Sequence, residues 1–344
     1  MRLFKTFGKN PSGKLLSEIS GSAQYKSGIF QNLHDTPMMA PDTSYVKLTW
    51  NFLNKPRNTV PPQVIPSVKT NLKELNSKSP ELIWFGHSSY LLRINGVKIL
   101  VDPVFSGYAS PFSFFGGCFP GSNVYTVEDM PEIDVLLITH DHYDHMDFDT
   151  VMKLQHKTKA IITSLGVGSH LEYWGIDAGK ITELDWWQSK EIFPGITFTA
   201  TPARHFSGRG FTRAKTLWSS FVLQAADYKI YLGGDSGYDS HFKEIGQLYG
   251  PFDLAILENG QYDLKWKYIH MLPEEVVQAA IDLKAKVLLP VHWGKFSLAL
   301  HAWDDPIKRV LKKAEELGQV ITTPMIGEPV LINQQYPNKK WWVF

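Results

Sequence analysis

The segment THDHYDH, Thr139 to His145, sets three histidines and two aspartates within seven positions, at the end of the apolar run IDVLLIT. A folded core has no use for so many polar groups, each costly to bury. Metal ligation does use them, because imidazole and carboxylate suit zinc, iron and manganese. Three more apolar runs end in the same way: TFTATPA in Arg204 and His205, KIYLGG in Asp235, and AKVLLPV in His292. Taken singly, His205 or His292 reads as an ordinary half-buried histidine. Beside H-x-H-x-D-H they read as a ligand set, because loops at strand ends can bring distant residues to one point.

His140, His142 and His205 would form one three-nitrogen site, and Asp144, His145 and His292 the second. Asp235 is the remaining carboxylate and is placed to span both. Two cations ~3.5–4 Å apart can share a water and lower its pKa from ~16 toward ~7. The nucleophile is then a hydroxide, and the protein need not supply one. GHSS at Gly86–Ser89 lacks the G-x-S-x-G elbow of a serine nucleophile and reads as a turn into a hairpin. GGDSG at Gly233–Gly237 is not a phosphate-binding P-loop, since no Lys-Ser/Thr follows. Its glycines let the backbone approach the metals.

The elements that must position these residues follow from Glu81 onward. Strands are expected at 82–85, 89–94, 98–101, 135–139, 160–163, 197–201, 220–225, 229–232, 254–257 and 287–291. Asn95–Gly96, between YLLRI and VKILV, signals a two-residue hairpin. Helices are expected over Asp147–Lys157, Pro273–Lys286 and Pro306–Leu317, the last closed by Gly318. Hairpins mixed with helices imply two sheets with helices outside them, an α/β architecture. Residues 1–80 lack apolar periodicity, and PRNTVPPQVIPS (Pro56–Ser67) reads as an extended wrapping arm.

The 344 residues, 43% apolar and 20% charged, allow a large core. A balance of 35 basic against 34 acidic residues offers no electrostatic argument for a nucleic-acid partner. The lone Cys118 rules out an intrachain disulfide and fits a reducing compartment. No apolar stretch reaches the ~18–20 residues of a membrane span, and the N-terminus lacks the apolar region of a signal peptide. A cytoplasmic location is expected. The adjacent pairs Trp186–Trp187 and Trp341–Trp342 fit core packing or, alternatively, an apolar rim for an acyl chain.

THDHYDH, His205, Asp235 and His292, in that order, together with ILVDPVF (Ile99–Phe105), resemble the metallo-β-lactamase fold superfamily. The resemblance spans about Glu81 to Ile332. It implies a four-layer αβ/βα sandwich with the metals at one edge, here with an N-terminal extension (1–80) ahead of a catalytic domain (81–344). It also implies that Asp102 supports the ligand loop from behind. Cys118 precedes the metal motif and no later cysteine exists, so the cysteine ligand of many zinc β-lactamases is missing. The interval from Asp235 to His292 is too short for the domain that nuclease members insert there.

Within the superfamily, ILVDPVFS, THDHYDHMD, GGDSGY, HMLPEE and VHWGKF are similar to the N-acylphosphatidylethanolamine-hydrolysing phospholipase D group and its bacterial relatives. GKNPSGKLL and YKSGIFQN extend the similarity into the N-terminal segment. That likeness implies phosphodiester cleavage, with a small-molecule or lipid substrate and with Tyr143 and His270 lining the cleft beside Asp144. The expected cofactor is a pair of divalent ions, zinc first, with iron and manganese as alternatives. The rival readings are a lactonase or other carboxyl-ester hydrolase, and a non-catalytic scaffold. Arg204, Arg209, Arg213 and Lys215 cluster around His205, where one or two could complement a phosphate. Phe112, Phe114 and Phe115 lie in a loop with no strand or helix pattern to bury them, which fits a flap over the cleft, peripheral membrane contact, or packing onto the arm.

Overall fold

The computed structural model of the protein describes every residue except Met1 and Asp42. The N-terminal part holds α1 (Arg2–Thr6), α2 (Gly13–Ile19), a hairpin of β1 (Tyr25–Lys26) and β2 (Ile29–Phe30), and α3 (Tyr45–Leu53). Next come β3 (Glu81–Trp84), β4 (Tyr90–Ile94), β5 (Val97–Val101), β6 (Ile133–Ile138), β7 (Thr158–Ser164) and β8 (Ile181–Leu184). Helices α4 (Phe148–Leu154) and α5 (Gly168–Trp174) are interleaved with them. The second run of strands is β9 (Ser189–Phe193), β10 (Ile196–Thr201), β11 (Ser220–Ala225), β12 (Tyr228–Leu232), β13 (Leu254–Glu258) and β14 (Leu288–Val291). It is accompanied by α6 (His241–Leu248), α7 (Pro273–Asp282) and α8 (Asp305–Leu317), and β15 (Pro329–Leu331) closes the fold.

The strands form two large sheets, of orders β15-β3-β4-β5-β6-β7-β8 and β14-β13-β12-β11-β10-β9. Period-2 alternation separates the faces of the first sheet. Leu82, Trp84, Leu92, Val101, Val135 and Leu137 face the second sheet in one core cluster. Ile83, Leu91, Leu100, Leu136 and Ile138 pack on the other side against Val151 and Leu154 of α4 and Leu171 of α5. The second sheet is backed by Phe242 and Ile245 of α6, Val276 and Ala280 of α7, and Ile307 and Val310 of α8. The result is the expected four-layer αβ/βα sandwich.

Ten strands and three helices fall where the sequence places them, within a few residues at their ends. Asp147 caps α4 by accepting from Asp149 N, and Gly318 ends α8 at φ 70°. Elements the sequence did not announce include β8 and β9, whose ITEL and SKEIF segments are largely half-exposed and mix polar with apolar residues. Three of the four paired tryptophans are core and Trp187 is half-buried against them, and none lines the cavity over the candidate ligands. Trp341 and Trp342 are both buried, and Trp341 stacks on Trp293 with ring centroids 5.0 Å apart. Trp186 is likewise buried, packed against Trp218.

The N-terminal 80 residues lie along the sandwich, pinned by scattered backbone bonds. Phe30 N donates to Ala214 O, Ala40 N to Lys265 O, Ile65 N to Pro120 O and Val68 N to Ile326 O. Helix α3 was hidden from the sequence reading because it carries apolar residues on two sides. Leu48 and Phe52 are half-buried and pack toward Trp266 and Ile269, while Val46, Trp50 and Leu53 are 66–83% exposed.

Candidate metal centre

Every ligand candidate leaves its strand at the same edge of the sandwich. β6 delivers the loop bearing His140, His142, Asp144 and His145, and β14 delivers His292. His205 and Asp235 follow β10 and β12. The structure brings all seven together. His140, His142, His205 and Asp235 offer ligand atoms within 4.8 Å of one another, and so do Asp144, His145 and His292 with a residue not anticipated, His87. Asp235 lies between the groups: Oδ2 is 3.9 Å from His140 Nε2, 3.8 Å from His205 Nε2 and 3.2 Å from His145 Nε2, and Oδ1 is 3.2 Å from His292 Nδ1.

The donor set fits two cations. His145 Nε2 and Asp235 Oδ1 are fully buried and make no hydrogen bond, an arrangement that costs free energy unless a ligand satisfies them. Two of the imidazoles are also engaged from behind, which fixes their orientation. His145 Nδ1 donates to Asp102 Oδ2 at 2.8 Å, and His205 Nδ1 donates to Ile269 O at 2.8 Å. Asp102 is itself held by Thr139, accepting from its N at 2.8 Å and its Oγ1 at 2.6 Å. The supporting role expected of Asp102 therefore has its geometry.

Charge follows burial. Burial first, and crowding by neighbouring imidazoles second, press His140 well below its ordinary pKa. Burial likewise lowers His205 and His292 against the pull of Asp235, leaving all three neutral, the form that ligates. Burial would raise Asp144, but His145 and His87 beside it hold it well below the usual carboxylate range.

Asp141, the one acidic residue of THDHYDH left out of the ligand set, points away. It accepts from Gly208 N at 2.7 Å and Thr216 Oγ1 at 2.9 Å, and faces His170 at 3.2 Å.

A cavity of about 400 Å³ opens over the centre. Its polar floor includes His142, Asp144, His205, Asp235, His270 and His292, and its wall is Met39, Leu48, Phe52, Phe206, Trp266 and Ile269. Much of the apolar wall thus comes from the N-terminal arm. His270 is in place, and its Nδ1 lies 3.3 Å from Glu258 Oε2. Burial pushes the Glu258 carboxyl up to about 7. Burial alone would lower His270, but the Glu258 carboxylate holds it above its ordinary value.

Tyr143 is placed differently from Asp144 and His270. Its hydroxyl donates to Arg209 O at 2.5 Å, its ring lies 4.1 Å from the Arg209 guanidinium, and it is absent from the cavity lining. Arg209 is buried and donates to Asp141 O, Met146 O and Thr6 O, so it braces the ligand loop and cannot meet a phosphate. Arg204 and Lys215 are spent on the arm, at Asp35 O and Gly28 O. Arg213 is the one member of that basic cluster lining the cavity. Phe114 and Phe115 are 86% and 63% exposed and away from the metal cavity, so the loop is not a flap over it, while Phe112 and Phe114 share a surface cavity with Thr6 of the arm.

His87 and Glu258 escaped the sequence reading, although the signal existed. ELIWFGH and LAILE are apolar runs ending in an ionisable residue, as in the four strands that gave the ligands.

A family model described as "Beta-lactamase superfamily domain" matches residues 97–293. An uncharacterised protein of Mycobacterium tuberculosis is 38% identical over 326 residues, covering 93% of this chain and 87% of its own. An N-acyl-phosphatidylethanolamine-hydrolyzing phospholipase D of Caenorhabditis elegans is 32% identical over 250 residues, covering 68% of this chain and 70% of its own. Among solved structures, Igni18, a metallo hydrolase from Ignicoccus hospitalis, superposes with a TM-score of 0.58 at 22% identity, covering 74% of this chain and 98% of that one.

Proposed function

The chain belongs to the metallo-β-lactamase superfamily of metal-dependent hydrolases, and on that premise we propose that it cleaves phosphodiesters in a phospholipase-D-type reaction on N-acylphosphatidylethanolamine-like lipids. The observation that carries this reading is the cavity itself. Its floor combines both ligand clusters with His270, and its wall is apolar and shared between the arm and the sandwich.

His140, His142 and His205 would hold one divalent ion and Asp144, His145 and His292 the other, with Asp235 shared, and the pair would supply water activation and charge stabilisation. Zinc is the first expectation for such a His/Asp set, with iron and manganese as alternatives. Glu258 orients the His270 ring by binding Nδ1, which leaves Nε2 for the substrate. In that position His270 donates its proton to the leaving oxygen as the P–O bond breaks. Arg213, its guanidinium 5.2 Å from the Phe206 ring centre, complements the phosphate charge at the cavity wall. Tyr143 acts one step removed, as a positioning residue beneath Arg209 and the ligand loop.

The apolar wall accommodates acyl chains. The outward face of α3, with Val46, Trp50 and Leu53 exposed, supports peripheral contact with a lipid surface. No helix among the described residues is long and apolar enough to cross a membrane. The test is a substrate panel on metal-loaded protein: N-acylated and plain phosphatidylethanolamine, a chromogenic phosphodiester, a phosphomonoester, a cyclic nucleotide and a lactone. Preferential release of an N-acylethanolamine is expected. Turnover of the lactone alone would replace this reading with carboxyl-ester hydrolysis.

A further inference from the structure

The turn Gly86–Ser89, which follows β3 and takes no part in the chemistry above, is bound at several points to the second ligand cluster. His87 is fully buried, and its Nε2 lies 2.9 Å from Asp144 Oδ2. Its main chain is interlocked with the other loop: His87 N donates to Trp293 O at 2.9 Å, and His292 N donates to His87 O at 2.9 Å. Trp84 Nε1 caps the same His87 carbonyl at 2.7 Å. Ser88 Oγ lies 2.9 Å from His292 Nδ1, and Ser89 Oγ donates to Asp102 O at 2.7 Å.

The backbone at this junction is unusual. His87 and His292 both have positive φ, 52° and 66°, and Asp102 has 40°. Side chains with a Cβ avoid this region and persist there only where surrounding contacts over-determine them. The reciprocal bonds between His87 and His292 are such contacts. Two strand ends from different sheets are thereby locked in one relative position.

We infer that His87 is a positioning residue for the second metal site: its Nε2–H holds Asp144 Oδ2, the oxygen 3.6 Å from His145 Nε2, and so fixes that carboxylate within the ligand cluster, while its backbone fixes His292. The hydrogen bond decides the tautomer, because the ring's one hydrogen-bond partner among the described residues is a carboxylate at Nε2. Nδ1 is buried without a partner and stays unprotonated. His87 is thus a donor to a ligand and not a ligand. Its removal should weaken one cation selectively, since His140, His142 and His205 make no contact with it among the hydrogen bonds of the described residues. Loss of a partner behind a ligand typically costs ~10–100-fold in metal affinity.

This inference rests on the two-cation reading of the site, and the two can fail separately. The experiment is zinc titration of apo wild type, His87→Gln and His87→Met against a chromophoric chelator, with metal content measured after desalting. Gln keeps an N–H near the Nε2 position, whereas Met has similar bulk and no donor. The expected result is two equivalents in wild type, a second equivalent ~10–100-fold weaker in His87→Met, and recovery toward wild type in His87→Gln. The first equivalent should be unchanged throughout. Fewer than two equivalents in wild type would overturn the two-cation reading. Equal affinities in all three proteins, or equal loss of both equivalents from a folded Met variant, would overturn the role of His87. Should His87→Met fail to fold, long-range ¹H–¹⁵N NMR of the zinc-loaded wild type decides. A neutral Nε2–H tautomer is expected for His87, and a metal-bound nitrogen on that ring would refute the assignment.

Discussion

Asp102 and His145 meet at 2.8 Å, Oδ2 to Nδ1, although they leave different strands, and that contact turns the Nε2 of His145 toward Asp235. Asp102→Asn keeps the size and most of the fold but can present an N–H where an acceptor is needed. It should lower metal affinity by ~10–100-fold, the usual effect of changing a ligand's supporting partner. Chelator competition on the purified variant checks this. Unchanged affinity would mean that the His145 ring is fixed by its packing.

His270→Ala should lower turnover by ~10²–10⁴-fold with both metals retained, since the side chain is assigned to the substrate. Glu258→Gln should act more gently and move the pH profile. The Glu258 carboxylate holds His270 above its ordinary pKa, so His270 keeps its proton to a higher pH. Removing that charge lets the proton leave earlier, and the alkaline limb of kcat/KM should shift to lower pH. A profile identical to wild type would separate Glu258 from the proton-carrying group.

Much of this was legible in the residues themselves. The candidate ligands announced themselves because four sit within one short loop and the others obey one rule, an apolar strand ending in an ionisable group. Glu258 and His87 obey that rule too, but each is a single ionisable residue at the end of its segment, and only the sheet order brings them to the centre. The arm was opaque for another reason. Leu48 and Phe52 share a helical face, but Val46, Trp50 and Leu53 on the opposite side of α3 blur the period, and the cavity that Leu48 and Phe52 face is completed by residues more than 150 positions away.

Stability should carry the mark of Glu183, whose Oε1 accepts from Gly168 N at 2.5 Å. Burial pushes its carboxyl up to about 7. The folded state therefore binds a proton that the unfolded chain, with a carboxyl near ~4.3, has already released, so this group's contribution falls as pH rises from about 4 to 7. Glu183→Gln should gain on the order of 1–2 kcal/mol over wild type at pH 8, with partial exposure discounting the full shift, and lose the advantage at pH 5. Denaturant melts at the two pH values measure it. A pH-independent difference would assign the effect to packing.

Trp50→Ser with Leu53→Ser should raise KM for N-acyl phospholipid vesicles several-fold while leaving a small soluble phosphodiester unaffected, because both side chains face outward from α3. Phe114→Ser with Phe115→Ser supplies the comparison, since that loop is exposed but apart from the cavity. Equal loss on both substrates in the α3 variant would indicate that the helix supports the cleft and not a lipid surface.

The division of labour between arm and sandwich has an evolutionary consequence. The candidate ligands all sit on loops from the two sheets, whereas Met38, Met39, Leu48 and Phe52, which line the space above them, belong to the N-terminal segment. Mutations in that segment can reshape what fits without disturbing what reacts. Selection on substrate choice can therefore proceed along the first 80 residues while the reaction centre is inherited unchanged.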